Sequence, residues 1–524
     1  MTLAITRPRS ARPGAASLRL CLLASAALLG IGLAAPARAD DVAALTAEQQ
    51  ASLARALSLW TAGLVGGEHS RTFRATPSGD HYLLAVPVDG PIGKSGASIE
   101  AGSLTASAKP LDAARWSFED VKAPESIRLI PPAGTKSGPM TLTQKATDRR
   151  GHVVIDGTLA TSSTFDSAAS GVAVTVDASK FALTIHADAT NSHTVWEPTA
   201  DGRVDAASTS TATGVSYEVA GDPAVKMSVK SLTGEGHMTG YAPGKLGDAV
   251  GIMLEMMATM PAPGSKAVVK PIPTSAMVKA VPAKPADHPT PEQRRAMHRM
   301  VDGLRDLYAG SDQSLTAEGI DVAVKGHEVS LDKMRVSQSW SAPDGKADFK
   351  MRMALDGIDS PQIPPGPMHD YVPRHIVFAP HLSGIPMDDL FAMVNKAIDS
   401  DDPKQADFAA EGMALLAHGP ITVGIDEFAL DVDKSSLTAT GALTISAPGD
   451  MAGGADIRLA GFDALLKRAG SDPVLKQAVP VLIFLKGIGQ QDGDAVLWKV
   501  AYADQKMTVN GTDMSQLIPH DDAK

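Results

Sequence analysis

Two segments of this chain are near copies of each other, and no other feature constrains the fold as strongly. Residues 231–244 (SLTGEGHMTGYAPG) align without a gap on residues 436–449 (SLTATGALTISAPG), with eight of the fourteen positions identical. Each copy reads as a strand opening on Ser-Leu-Thr, a glycine, a second strand carrying a threonine, and an Ala-Pro-Gly stop. An internal period is read first, because it says how often one structural unit is used. The chain is expected to consist of two related β-rich halves.

The boundary between them is marked by proline. Residues 261–291 contain Pro261, Pro263, Pro271, Pro273, Pro282, Pro285, Pro289 and Pro291. Such a stretch cannot sustain a helix or a central strand and reads as a semi-rigid linker. It separates a first half at 40–260 from a second at 292–524. Each half opens on a capping box, Thr46-Ala47-Glu48-Gln49 and Thr290-Pro291-Glu292-Gln293, the second with proline at the first helical position. The first helix should run to about Trp60 with Leu53, Ala56, Leu57 and Trp60 on one face, and end at Ala62-Gly63. The second should run to about Tyr308 with Met297, Met300, Val301 and Leu304 on one face.

Between those helices and the repeated segments the apolar residues recur with period two. Val172, Val174 and Val176 alternate with small or polar residues, as do Phe181, Leu183 and Ile185. Phe349, Met351, Met353 and Leu355 alternate with Lys350, Arg352, Ala354 and Asp356. Ile421, Val423 and Ile425 are followed by Phe428, Leu430 and Val432 after a change of parity at Asp426-Glu427. One apolar and one polar face is the pattern of antiparallel strands with one wet side. Asp344-Gly345, Asp356-Gly357 and Asn510-Gly511 supply turns. Short helices are expected at about 246–259, 387–398 and 462–468. The class is α+β, β-rich, with long antiparallel meandering sheets and helices on one face or at the ends.

The first 39 residues read as a signal peptide. Arg7, Arg9, Arg12 and Arg19 precede an apolar run from Leu20 to Ala35, and Ala37-Arg38-Ala39 is a small-residue cleavage site. The mature chain should begin at Asp40, be periplasmic and carry no membrane span. The single cysteine, Cys21, lies in the removed segment, which excludes disulfides and thiolate chemistry from the exported form. Cleavage removes five arginines and no acid, taking the formal net charge from −11 to −16. So acidic a chain is a poor partner for nucleic acid.

Few residues suggest chemistry. His369, His375 and His381 are six apart, a spacing that puts three rings on one face of a regular strand, as a metal site would need. Prolines interrupt that stretch and favour a surface role instead. Met253, Met256, Met257 and Met260 fall at i, i+3, i+4 and i+7. That stripe reads as a soft face packed on a sheet or facing an apolar ligand, in preference to a Cu(I) site. Asp431-Val432-Asp433 opens like a calcium loop but lacks its glycine and glutamate. Nucleophile elbow, phosphate loop, zinc-helix and dinucleotide motifs are all missing, so no enzyme and no cofactor are expected.

Residues 455–466 (ADIRLAGFDALL), then Leu485-Lys486-Gly487-Ile488-Gly489, Trp498-Lys499-Val500 and Met507-Thr508-Val509-Asn510-Gly511, resemble the ends of AsmA-like and YdgA-like proteins of the bacterial envelope. The resemblance implies elongated sheets with an apolar groove and a role in lipid traffic or envelope maintenance. It supplies no catalytic residue, and this chain departs from those families in its cleavable N-terminus. The expected function is non-enzymatic binding of a lipid or other amphiphile on an apolar sheet face. The alternative is an envelope scaffold or assembly factor that binds another protein. Twenty-one methionines would give such a face a soft lining.

Overall fold

The first helix, α1 (Ala47–Val65), starts where the capping box places it. The Thr46 N–H donates to Gln49 Oε1 at 3.0 Å and the Gln49 N–H donates to Thr46 Oγ1 at 3.2 Å, a reciprocal cap. The helix runs through Gly63 to Val65 instead of ending at Ala62-Gly63. The computed structural model describes residues 42–65, 73–242, 291–400 and 412–515, apart from short stretches within them. The signal segment, most of the proline-rich linker and the Met253–Met260 stripe lie outside the described residues.

Nine strands follow: β1 (Arg74–Ser78), β2 (His81–Pro87), β3 (Gly90–Ile92), β4 (Ala97–Glu100), β5 (Ser103–Pro110), β6 (Arg115–Lys122), β7 (Ser126–Ile130), β8 (Met140–Lys145) and β9 (Asp148–Asp156). Four long strands come next, β10 (Ser163–Ala178), β11 (Phe181–Pro198), β12 (Val204–Ala220) and β13 (Val225–Tyr241). Beyond the linker lie α2 (Pro291–Arg305), β14 (Gly310–Val324), β15 (His327–Ser341), β16 (Lys346–Asp356), β17 (His375–Pro386) and α3 (Met387–Asp399). The chain continues with β18 (Ile421–Val432), β19 (Ser435–Ala447), β20 (Asp450–Ala460), α4 (Phe462–Ser471) and α5 (Val479–Ile488). It finishes with β21 (Gln490–Asp492), β22 (Ala495–Ala503), β23 (Lys506–Val509) and β24 (Thr512–Asp513).

Every strand pairing is antiparallel, and β10 to β20 form one meander in chain order. Beyond β20 the sheet continues through β22 and β23. On its other side β10 pairs with β9 over one half and β8 over the other, so the sheet divides there into two arms. The proline-rich linker does not separate two sheets. β13 and β14 pair from Val225↔Val324 to Thr239↔Gly310, so the linker joins adjacent strands of one sheet. The repeated segments are likewise simpler than expected. Residues 231–241 and 436–447 each continue along a single strand, β13 or β19, because Gly236 and Gly441 keep ordinary backbone angles and extend the chain where a turn was expected. The two copies sit in different settings, since β13 leads into the linker and β19 turns directly into β20.

A lateral row of glycines creases the long strands. Gly171, Gly214, Gly319 and Gly357 have φ of 54°, 57°, 60° and 65°, the left-handed region where other residues are strained. In register with them, on the strands between, are Asp188, Lys230 and Asp332. Pairing resumes unshifted beyond the row, as Thr213↔Ser231 and Val215↔Val229 show. Side-chain phase reverses, however: Ala212 and Val215 are three apart and both buried. In β18 the same reversal comes from a bulge between Ile425 and Phe428, where the sequence changes parity.

One face of the sheet carries the core. Under α1, Leu53, Ala56 and Leu57 pack on Trp116, Phe118, Val153 and Ile155. A second cluster follows the crease, from Val172 and Val174 through Val215 and Val229 to Ala317 and Ile320. At the far end, α4 and α5 cover Ile457, Leu459, Val496 and Trp498. Helices α2 and α3 pack on each other.

Candidate functional site

Residues directly opposed on antiparallel strands share a face. Following registers from β15 to β19, Trp340 pairs with Phe349, Phe349 with Leu382, Leu382 with Val423, and Val423 with Leu443. A parallel row runs Leu315, Val336, Met353, Phe378, Phe428. These are the positions that the period-two pattern of β16 and β18 assigns to the apolar side. The first cluster under α1 and the last under α4 and α5 lie at opposite ends of this face. Between them the side chains of both rows are only partly buried, and Val423 and Ile425 are 47% and 36% exposed. Helix α3 touches β17, and α4 touches β19. The stretch is an apolar surface several strands wide, flanked by helices at either end.

The opposite face is polar and ordered by charge along one row, while farther along β16 and β17 the same side buries Ala354, Val377 and Ala379. Glu119, His152, Asp166, His193, Thr209, Glu235, Ser314, Ser337 and Arg352 are consecutive register partners on nine neighbouring strands. Arg352 Nε then donates to Glu427 at 2.9 Å. Where the arms meet the meander, this row lines a concavity of about 770 Å³ with Glu119, His152, Asp166 and His193 in its wall. His193 Nδ1 is 2.6 Å from Asp166 Oδ1, and His152 Nε2 is 3.0 Å from Ser117 Oγ. Farther along, Lys333 lies 2.6 Å from Glu318 and holds that carboxyl below its ordinary pKa. Such a surface offers hydrogen bonds to a hydrated partner. Sequence reasoning missed it, because its members come from nine strands and share no local motif.

The three histidines singled out from the sequence do not converge. His369 lies in a 3-10 turn with Nε2 2.9 Å from Asp359, which it holds below the usual carboxylate range. His375 Nδ1 is 2.5 Å from Asp356. His381 Nδ1 lies 2.7 Å from Asp426, close enough for an ion pair but poorly aligned for a hydrogen bond. Six residues of strand separate His375 from His381 by roughly 20 Å, too far to share an ion. Among the described residues, no group of three His, Cys, Asp or Glu side chains is placed to hold a metal. The incipient calcium loop is the turn between β18 and β19, with Asp433 at φ 51°. Helix α5 was not among the helices expected from the sequence.

Residues 294–514, which hold the whole apolar stretch from β14 onward, match the model of a family described as "Uncharacterized protein conserved in bacteria (DUF2125)". The match does not single out the AsmA-like or YdgA-like proteins. No curated protein matches the chain. A crystal structure of OpdQ from Pseudomonas aeruginosa aligns over 84% of this chain and 88% of that one, at 10% identity and a TM-score of 0.15. So low a score carries no argument about fold or function. No described helix is long and apolar enough to cross a membrane.

Proposed function

We propose that the protein is a non-catalytic periplasmic binder that holds a lipid or another amphiphile along the apolar face of β14 to β19. The observation behind this reading is the cross-strand row from Trp340 to Leu443, partly exposed along its length and bounded at both ends by helix-covered core. An acyl chain laid on such a surface gains about 25 cal/mol for each Å² of apolar area it removes from water. Phenylalanine, leucine and methionine side chains in the rows adapt to a chain of unspecified shape. The polar row on the opposite face suits an aqueous compartment, and the cleavable leader supports export.

The test is direct. Protein purified from the periplasm is extracted with organic solvent and the extract examined by mass spectrometry. The reading requires a stoichiometric amphiphile that disappears in Val423→Asp. An extract empty for the wild type, with a protein partner copurifying instead, would favour the scaffold reading. N-terminal sequencing of the same preparation should begin at Asp40.

A further inference from the structure

Helix α5 is apolar on both sides, and among the described residues only its inner side joins a core cluster. Leu482, Leu485 and Ile488 pack inward on the cluster around Phe462 and Trp498. The outward positions Pro480, Ile483, Phe484 and Gly487 fall at i, i+3, i+4 and i+7 and carry no charge. Ile483 is 57% exposed, Phe484 49%, and Val481 beside them 58%, the greatest exposures of any large hydrophobic side chain among the described residues. A helix that is hydrophobic all round belongs inside a protein or against lipid. Ten residues are too few to span a bilayer but suit a surface element.

The charge around this ridge selects an occupant. The chain as a whole is acidic, with a formal net charge of −11, whereas residues 462–488 hold four basic side chains against two acidic ones. Lys467 and Lys476 are exposed, and Lys486 next to the ridge shares its ammonium with Asp463. With Arg468 paired to Asp370 and Asp433, the exposed lysines on α4 and on the turn before α5, together with an exposed aliphatic and aromatic ridge, complement an anionic membrane surface. We propose that α5 docks the protein on anionic bilayers, with Ile483, Phe484 and Val481 entering the interface and Lys467 and Lys476 meeting the headgroups. Because α4 and α5 close one end of the apolar sheet face, docking there would bring that face to the bilayer. The docking itself stands independently of what the face binds.

The experiment is vesicle cosedimentation of the mature chain with mixed phosphatidylcholine–phosphatidylglycerol vesicles and with phosphatidylcholine alone. The wild type should partition onto the anionic vesicles and lose that preference at high salt. Ile483→Ser/Phe484→Ser should weaken partitioning by roughly tenfold or more, with a small change in melting temperature, because about half of each side chain already faces water. Lys467→Glu/Lys476→Glu should weaken anionic binding without affecting the fold. Val423→Asp, which tests the sheet face, should leave vesicle binding intact, so failure of one idea is distinguishable from failure of the other. Unchanged sedimentation of the serine variant would overturn the proposal. So would a wild-type dimer in size-exclusion chromatography that the serine variant converts to monomer, since the ridge would then serve a second copy.

Discussion

The carboxylate of Asp188 lies directly over Gly214 on the neighbouring strand, in space that any side chain at position 214 would occupy. The pairing repeats down the crease, with Lys230 over Gly319 and Asp332 over Gly357. A charged side chain thus covers the kinks at Gly214, Gly319 and Gly357 from the strand beside each. The crease reverses side-chain phase along β10 to β15 without shifting the register, which keeps one face apolar across the bend.

At Gly319 an alanine would combine left-handed strain at φ 60° with a Cβ 2.9 Å from Lys230 Cβ. Gly319→Ala should cost about 1–2 kcal/mol from the backbone alone. Gly303→Ala is the control, because Gly303 sits in α2 with nothing within 4 Å of an added Cβ. That exchange should stabilise by roughly 0.5–1 kcal/mol. Urea denaturation of both variants checks the pair, and equal effects would refute the role given to the crease.

Trp116 Nε1 donates to Ser52 Oγ at 3.0 Å, and Ser52 Oγ donates to the Ala113 carbonyl at 2.9 Å. Both residues are 1% exposed, so this relay is the polar link between α1 and β6 inside an apolar core. Ser52→Ala strands the indole N–H and should cost about 1–3 kcal/mol. In Trp116→Phe the same serine substitution should cost less, and a double-mutant cycle by chemical denaturation measures the difference.

Val377 and Val423 are on neighbouring strands of one sheet but differ in setting, the first fully buried and the second 47% exposed. Val377→Asp should destabilise by more than about 3 kcal/mol through a buried, unpaired carboxylate. Val423→Asp should change the melting temperature little. A severe loss of stability in Val423→Asp would show that the surface is closed core.

The contact between α2 and α3 should depend on pH. His298 Nδ1 lies 2.8 Å from Asn395 Oδ1 and Nε2 lies 2.7 Å from Asp399 Oδ1. Oxygen acceptors at both nitrogens favour the doubly protonated ring and raise the His298 pKa, Asn395 contributing most and Asp399 next, with Asp302 adding to it. A raised folded-state pKa gives stabilisation that is complete below the ordinary histidine value near 6.5 and is lost as pH rises through the raised one. Amide exchange of α2 should therefore quicken as pH rises beyond its intrinsic dependence. His298→Gln should abolish the excess.

Much of the architecture was legible because it is written locally. Alternation at Phe349, Met351, Met353 and Leu355 assigns the faces of β16, since successive side chains on a strand must point opposite ways. The parity break at Asp426-Glu427 marks a bulge for the same reason, and Thr46 with Gln49 forms its cap within one turn. What the sequence could not provide is lateral position. Trp340 and Leu443 meet one row, and Glu119 and Arg352 another, only through registers accumulated over many hairpins, and each register depends on turn geometry and the crease. The repeat pointed to two halves, yet β13 and β14 pair across the linker and make one sheet, because an open strand edge is satisfied by whichever neighbour can pair with it. Likewise the apolar sequence of α5 demanded cover on all sides, and tertiary packing alone decided that Leu482 and Leu485 would have it while Ile483 and Phe484 would not.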